Sequence, residues 1–361
     1  MASITEPISV IKGLDALKRI KLKNKITQSV IAEVKKGLKQ GIVILPTEFN
    51  YVFVSTQKDY LKSINQNFLF DKTERIEPAR FILKSTIHSF TLNDSAQKII
   101  AHFLPGPLIA IIPTHNGKIP FRVSNSSLIN NLLTQLTIPL YFVENEDPTS
   151  EWLKQYADSI VLFLETNLKK TLLSTIIDLS SPVPIIVRKG AIPILEIERV
   201  LGRKVKLGGN VYFSVLMVCS GNSCRSPMAK GILEKMLEKK NVFVYSAGTI
   251  ASSGNLPSEF AVIAAKSYGA DITHHLSAPL TKELINNADL ILVMSPKHKD
   301  SVLELEPSAK AKTFLLREYA FKTNEEIIDP VGQPLAVFEK VAKEINECLK
   351  KVAEDIKERL N

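Results

Sequence analysis

Two α/β domains, the second built on a doubly wound parallel sheet, are what the sequence predicts, and three observations carry that prediction. The chain has 361 residues, more than one hydrophobic core usually spans, since single cores stop growing at roughly 250 to 300 residues. Short β-branched runs alternate with stretches of helical periodicity, the pattern of strands covered by helices. A polar, basic, glycine-containing segment, Leu201-Gly-Arg-Lys-Val-Lys-Leu-Gly-Gly-Asn210, interrupts the alternation and divides the chain into domains at 1–205 and 211–361.

In the first half, residues 31–40 read as a helix, and residues 41–45, 109–112, 159–163 and 184–188 as strands. That mixture is α/β or α+β, with the topology left open. In the second half a strand at 215–218 runs into the loop Cys-Ser-Gly-Asn-Ser-Cys-Arg-Ser and then into a helix from Pro227. A strand at 242–246, a loop containing Gly254, a helix at 259–268, a strand at 289–294, a further loop and an amphipathic helix from about Leu335 follow. Strands and helices in that order argue for a parallel sheet covered on both faces.

With 45% hydrophobic and 23% charged residues, the chain has the composition of an ordinary globular protein. Its first residues, MASITEPISVIKG, lack the basic stretch and apolar core of a signal peptide, and no apolar run approaches the ~18 residues of a membrane span. A cytoplasmic protein without membrane contact is expected. Only Cys219, Cys224 and Cys348 occur, so no disulfide framework holds the fold and a reducing compartment suits it. The net charge of +9 is one-sided: residues 1–210 carry 27 Lys and Arg against 18 Asp and Glu, residues 211–361 carry 19 of each. An excess of this kind suits RNA or nucleotides as partners of the first domain, although basic residues more often form solvated faces.

The loop after the 215–218 strand is where chemistry concentrates. Hydrolysis of a phosphate ester through a thiol needs an ionised nucleophile, a cage for the phosphoryl oxygens and a proton for the leaving group. Cys219 ends a strand, and Ser220, Gly221, Asn222, Ser223 and Cys224 wrap toward a helix N-terminus, whose free N–H groups and dipole favour anions. The same features are expected to lower the thiol pKa. Arg225, six residues on, can lay its planar fork on two phosphate oxygens, and Ser226 can donate a hydrogen bond to the thiolate. Gly221 lets the backbone approach a ligand, and Asn222 holds the loop's shape through its amide.

The segment Val218-Cys-Ser-Gly-Asn-Ser-Cys-Arg-Ser-Pro-Met-Ala229 resembles the signature loop of the low-molecular-weight protein tyrosine phosphatases and the related bacterial protein arginine phosphatases. Ser246-Ala-Gly-Thr249, Asp271-Ile-Thr-His-His275, Ala288-Asp-Leu-Ile-Leu-Val-Met294 and Asp329-Pro-Val-Gly332 follow in the family's order. The resemblance implies a cysteine-dependent protein phosphatase of residues 213–361 acting on a phosphorylated protein. It implies Asp329 as general acid, a phosphocysteine intermediate, no metal or other cofactor, and Cys224 as a trap for oxidised Cys219. Ser223 before the second cysteine is small and polar, and the Asp-Pro loop lacks paired tyrosines; both lean toward phosphoarginine over phosphotyrosine. An arsenate reductase fits less well, because no paired resolving cysteines lie downstream.

In the first half, Gly41-Ile-Val-Ile-Leu-Pro-Thr-Glu-Phe-Asn-Tyr51, Phe103-Leu-Pro-Gly-Pro-Leu-Ile-Ala-Ile-Ile112, Phe121-Arg-Val, Ser174-Thr-Ile-Ile-Asp-Leu179 and Val187-Arg-Lys-Gly-Ala-Ile192 resemble the YrdC-type threonylcarbamoyl-AMP synthase domain. That resemblance implies a basic cleft for ATP, threonine and bicarbonate, and a link to tRNA modification. Its ligand candidates are Thr47, Lys72, Arg75, Ser174, Thr175 and Arg188. The pattern is degenerate, with Phe49 and Val52 adding bulk, and Val143-Glu-Asn145 bringing a carboxylate to where phosphates would lie. A retained fold with lost synthase chemistry is the reading. The alternatives are an active synthase and a nucleotide- or RNA-binding module.

Other features read as structural. Cys348 lies on the last helix as an inert thiol, and His274 and His275 serve solvated or capping roles rather than holding a metal. The basic run 18–25 is a solvated face, and Trp152 with the scattered aromatics makes no base-stacking platform.

Overall fold

The computed structural model describes residues 17–22, 26–65, 77–145, 157–168, 173–238 and 241–360. The candidates Lys72 and Arg75, and Trp152, lie outside the described residues. Two compact units divide between Ile192 and Pro193.

The first unit contains β1 (Lys18–Lys21), α1 (Gln28–Gln40), β2 (Ile42–Pro46), β3 (Tyr51–Ser55), α2 (Lys58–Asn65), β4 (Ala79–Phe81) and α3 (Asp94–Phe103). Then come β5 (Leu108–Thr114), β6 (Gly117–Arg122), α4 (Ser127–Gln135), β7 (Leu140–Asn145), β8 (Ile160–Glu165), β9 (Thr175–Asp178) and β10 (Ile185–Arg188). Its strands run in the order β1-β8-β2-β3-β7-β4-β6-β5-β9-β10. Pairing is mixed: β2 is parallel to β8 and antiparallel to β3, and β5 is parallel to β9 and antiparallel to β6. Successive residues of β2 serve opposite faces, as period-two geometry requires. Val43 and Leu45 pack with Ile31, Val34 and Leu38 of α1 and Leu132 of α4, whereas Ile42 and Ile44 pack with Phe53, Leu61 of α2 and Phe163. Burial on both faces explains why β2 reads as an unbroken apolar run.

The second unit begins with α5 (Ile194–Leu201) and β11 (Lys206–Leu207), followed by β12 (Phe213–Cys219), α6 (Arg225–Met236), β13 (Val242–Gly248) and α7 (Glu259–Lys266). It continues with α8 (Lys282–Asn287), β14 (Leu290–Val293), α9 (Pro296–Leu305), β15 (Thr313–Leu315), α10 (Leu316–Phe321) and α11 (Leu335–Leu360). Strands β13-β12-β14-β15 form a parallel sheet. The chain goes from β12 out to β13 and then returns across to β14, so the order reverses at the carboxyl end of β12. In open parallel sheets such a switch point is where ligands bind. Leu216 and Val218 pack with Ile285 of α8 and Val302 of α9 on one face, while α6, α7 and α11 pack together elsewhere.

Two expectations are corrected. The stretch between β14 and α11 is no plain loop, because α9, β15 and α10 lie in it. Each is ten residues or shorter, and α9, Pro-Lys-His-Lys-Asp-Ser-Val-Leu-Glu-Leu, buries only His298 and Val302, too few to impose a period. The second unit also starts ahead of the glycine-containing segment 201–210, because α5 belongs to it. Arg359 of α11 is fully buried and grips Glu198 of α5 with both arms, Nε to Oε1 at 2.8 Å and Nη2 to Oε2 at 2.7 Å.

Candidate active site

Every residue of β12 is buried, and the strand delivers Cys219, 2% exposed, to the switch point. The loop that follows is held from outside by its carbonyls. Cys219 O accepts from Thr249 N (2.9 Å), Ser220 O from Ile250 N (3.1 Å) and Ser223 O from Ser258 N (3.0 Å). His275 Nε2 donates to Asn222 O at 2.9 Å. A peptide's N–H points opposite to its C=O, so the amides of Ser220, Gly221, Ser223 and Cys224 turn away from these braces, into the loop. Amides so arranged can receive an anion, and the loop continues into the N-terminus of α6, where Arg225 is the first residue.

Asn222 is the loop's keystone. It is fully buried with φ of 52°, a left-handed conformation that Asn tolerates better than most residues. Its Nδ2 donates to Ser226 Oγ (2.9 Å) and Ser246 Oγ (3.0 Å), and its Oδ1 accepts from Ala278 N (2.8 Å). Because Ser226 Oγ already accepts from Asn222, its own proton is free to point at Cys219 Sγ, 2.9 Å away. Gly248 closes the far side: a Cβ there would stand 2.4 Å from Ser220 O and 2.9 Å from Asn222 N, so only glycine lets β13 end against the loop.

The thiol differs from expectation in direction. Burial is the largest influence on Cys219 and pushes it up, while the Ser226 hydroxyl, the backbone N–H groups of Ser226 and Asn222, and the Arg225 charge pull against it. The helix terminus and loop are present as foreseen, but a sulfur 2% exposed has also lost its water.

Arg225, 5% exposed, donates through Nη1 to Ile327 O (3.1 Å) and through Nη2 to the Asp329 carboxylate, with Ser220 Oγ at 3.4 Å. Asp329 is half-exposed, and Ile328 and Val331 beside it are exposed apolar residues, as is Ile250 on the opposite brace. Cys219, Arg225, Ser226 and Asp329 thus meet at one loop. Cys224 is buried, its thiol donating to Ser258 Oγ at 3.3 Å. Cys348 is buried in α11 with its thiol pushed up to about 12 by burial.

Two histidines enter that the sequence did not single out for the site. His275 braces Asn222, which corrects the solvated or capping role expected of it; burial pushes its pKa down. His298, 3% exposed on α9, sits between Ser220 Oγ and Ser295 Oγ, each 2.9 Å from a ring nitrogen. Burial, then the neighbouring Arg225, press its pKa down to about 4, so the ring is neutral at pH 7. With Arg225 Nη2 on one side of Ser220 Oγ, the Ser220 proton goes to Nε2 and Nδ1–H goes to Ser295. No spacing rule could place His298 there, since it lies 78 residues from Ser220.

In the first unit, Thr47, Ser174 and Arg188 gather around Arg122 and Glu144. Arg122 Nη1 donates to Glu144 at 2.9 Å and its Nη2 lies 3.4 Å from Thr47 Oγ1. Thr175 turns elsewhere, its hydroxyl bonded in both directions to the Ile192 backbone at 3.0 Å.

Among known proteins, the family model described as low molecular weight phosphotyrosine protein phosphatase matches residues 214–361. A protein-arginine-phosphatase of Geobacillus stearothermophilus is 38% identical over 144 residues, 40% of this chain and 96% of the relative. One of Bacillus subtilis is 34% identical over 145 residues, again 40% and 96%. A probable low molecular weight protein-tyrosine-phosphatase of Erwinia amylovora is 37% identical over 128 residues, 36% of this chain and 86% of the relative.

Proposed function

Because the chain belongs, through residues 214–361, to the low molecular weight phosphotyrosine protein phosphatase family, we propose that its second unit hydrolyses phosphorylated protein side chains through Cys219. The observation that carries this is the convergence of Cys219, Ser226, Arg225 and Asp329 on one anion-binding loop. The phosphoryl group seats against the inward amides, and its oxygens take the Arg225 fork bidentately. That releases Asp329, which pairs with Arg225 while the loop is empty, to face the leaving group.

Cys219 attacks phosphorus as the thiolate. Freed from Arg225, the Asp329 carboxylate takes up the proton that the Cys219 thiol loses; as the bond to the leaving atom breaks, Asp329 gives that atom the same proton, and a phosphocysteine remains. Water, deprotonated by Asp329, then attacks phosphorus and expels Cys219, whose returning charge the Ser226 hydroxyl stabilises. Phosphoarginine is the preferred substrate in this reading, supported by the small polar Ser223, by Val331 and Gly332 where tyrosines would flank a phosphotyrosine ring, and by the names of two relatives. The three free cysteines suit a reducing cytosol, and no helix among the described residues is long and apolar enough to cross a membrane. Cys219→Ser should bind phosphate yet turn nothing over; turnover at the wild-type rate would reject the assignment.

For the first unit we propose a YrdC-like fold that has lost its synthase chemistry. Its ordered motifs support this, as do the placement of Thr47, Ser174 and Arg188 about one centre and the side chains of Phe49 and Glu144 that crowd it. Pyrophosphate release from ATP that depends on threonine and bicarbonate would contradict it.

A further inference from the structure

We propose that Glu144 is an internal anion filling an oxyanion cradle in the first unit, so that this cradle is closed to the phosphates of a nucleotide. The inference does not depend on the phosphatase reading; it rests on the YrdC-like reading of the first unit for its choice of ATP, while the inorganic phosphate arm of the test stands without that reading.

Glu144, 3% exposed at the end of β7, receives donors from four other segments of chain. Its Oε1 accepts from Arg122 Nη1 (2.9 Å), Asn50 Nδ2 (3.0 Å) and Ser174 Oγ (2.5 Å). Its Oε2 accepts from Ser174 N (2.9 Å) and from Arg188 Nη2. Ser174 O in turn holds Arg188 through Nε (3.2 Å) and Nη2 (2.9 Å). A structural ion pair needs one partner; two guanidinium groups, an amide, a hydroxyl and a backbone N–H aimed at one point are the donor set of an anion site. Burial works against the Glu144 carboxylate, but Arg188 and Arg122 outweigh it and hold its pKa below the usual carboxylate value.

The neighbouring donors are also taken from within. Glu48 accepts from Asn125 N (3.0 Å) and Ser124 Oγ (2.6 Å) ahead of α4, and lies 3.4 Å from Arg122 Nη2. Arg122 has no exposed surface, lies 5.4 Å from the Phe49 ring centre, and leaves its Nε without a partner among the described residues. ATP, the ligand that the resemblance implies, therefore does not fit these residues. Its phosphates would meet two carboxylates, and expelling Glu144 would strand a buried charge.

The test uses the full chain carrying Arg225→Ala, which silences the phosphatase loop, with inorganic phosphate and ATP as probes in calorimetry and thermal melting. That protein should bind neither probe through the first unit. Adding Glu144→Ala should create saturable phosphate binding and raise the melting temperature by about 5 °C at saturating phosphate; adding Arg188→Ala as well should abolish both. Three results would overturn the proposal. One is ATP binding by the Arg225→Ala parent that Arg188→Ala removes. The others are a folded Glu144→Ala variant indifferent to phosphate, and a Glu144→Ala variant that stays unfolded even in phosphate.

Discussion

Cys219 and Arg225 could be read from sequence because one loop holds both, so their spacing carries the geometry. What tunes them was legible only in part: Ser246, Gly248 and His275 fall in motifs of the family resemblance without a role at the site, and His298 falls in none, because all four arrive from remote segments. The thiol's tuning makes the first prediction. Ser226 stabilises the thiolate through a hydrogen bond worth roughly 1.5 kcal/mol or more, so Ser226→Ala should raise the pH midpoint of Cys219 alkylation by about one unit. An unchanged midpoint would mean that the hydroxyl does not reach the sulfur. His298 makes the second. Its pKa, about 4 in the fold against ~6.5 unfolded, means that the unfolded chain binds the proton first as pH falls. Stability is thus full above pH ~6.5 and declines toward pH 4, by on the order of 3 kcal/mol. His298→Gln should flatten that segment of the stability–pH curve, as measured by urea unfolding between pH 4 and 7.

Elements were legible where they are long or buried on both faces. β2, β12 and α11 announce themselves as apolar runs or as a sustained i, i+3, i+4 stripe from Phe338 to Ile356. The short α9, β15 and α10 bury too few side chains to do so, although α9 carries His298 to the site. The end of β13 shows how tightly elements set the loop. Gly248→Ala places a methyl 2.4 Å from Ser220 O, a distance that forces strand and loop apart. Activity should fall at least tenfold while the circular dichroism of the sheet persists, since catalytic groups displaced by ~1 Å can lose about 10²-fold. Wild-type kcat/KM in that variant would show that the loop tolerates the shift.

At the scale of the whole molecule, the sequence showed two domains but cut them too late, because a glycine-rich stretch looks like a linker and the Glu198–Arg359 pair is invisible in one dimension. A fragment of residues 193–361 should therefore be more stable than one of residues 211–361, which lacks α5 and the buried Glu198–Arg359 pair; equal urea midpoints would contradict this. Arg122 and Arg188 of the first half pair internally with Glu48 and Glu144, which hides individual cations but leaves the basic excess of that half in place, because each pair removes charge of both signs. The chemistry rests on the second unit. Its most direct test is turnover of phosphoarginine and phosphotyrosine peptides side by side by wild type and Cys219→Ser. The expected result is hydrolysis by wild type, faster on phosphoarginine, and a loss of at least about 10⁴-fold in the variant; undiminished turnover by Cys219→Ser, or none by wild type, would contradict it.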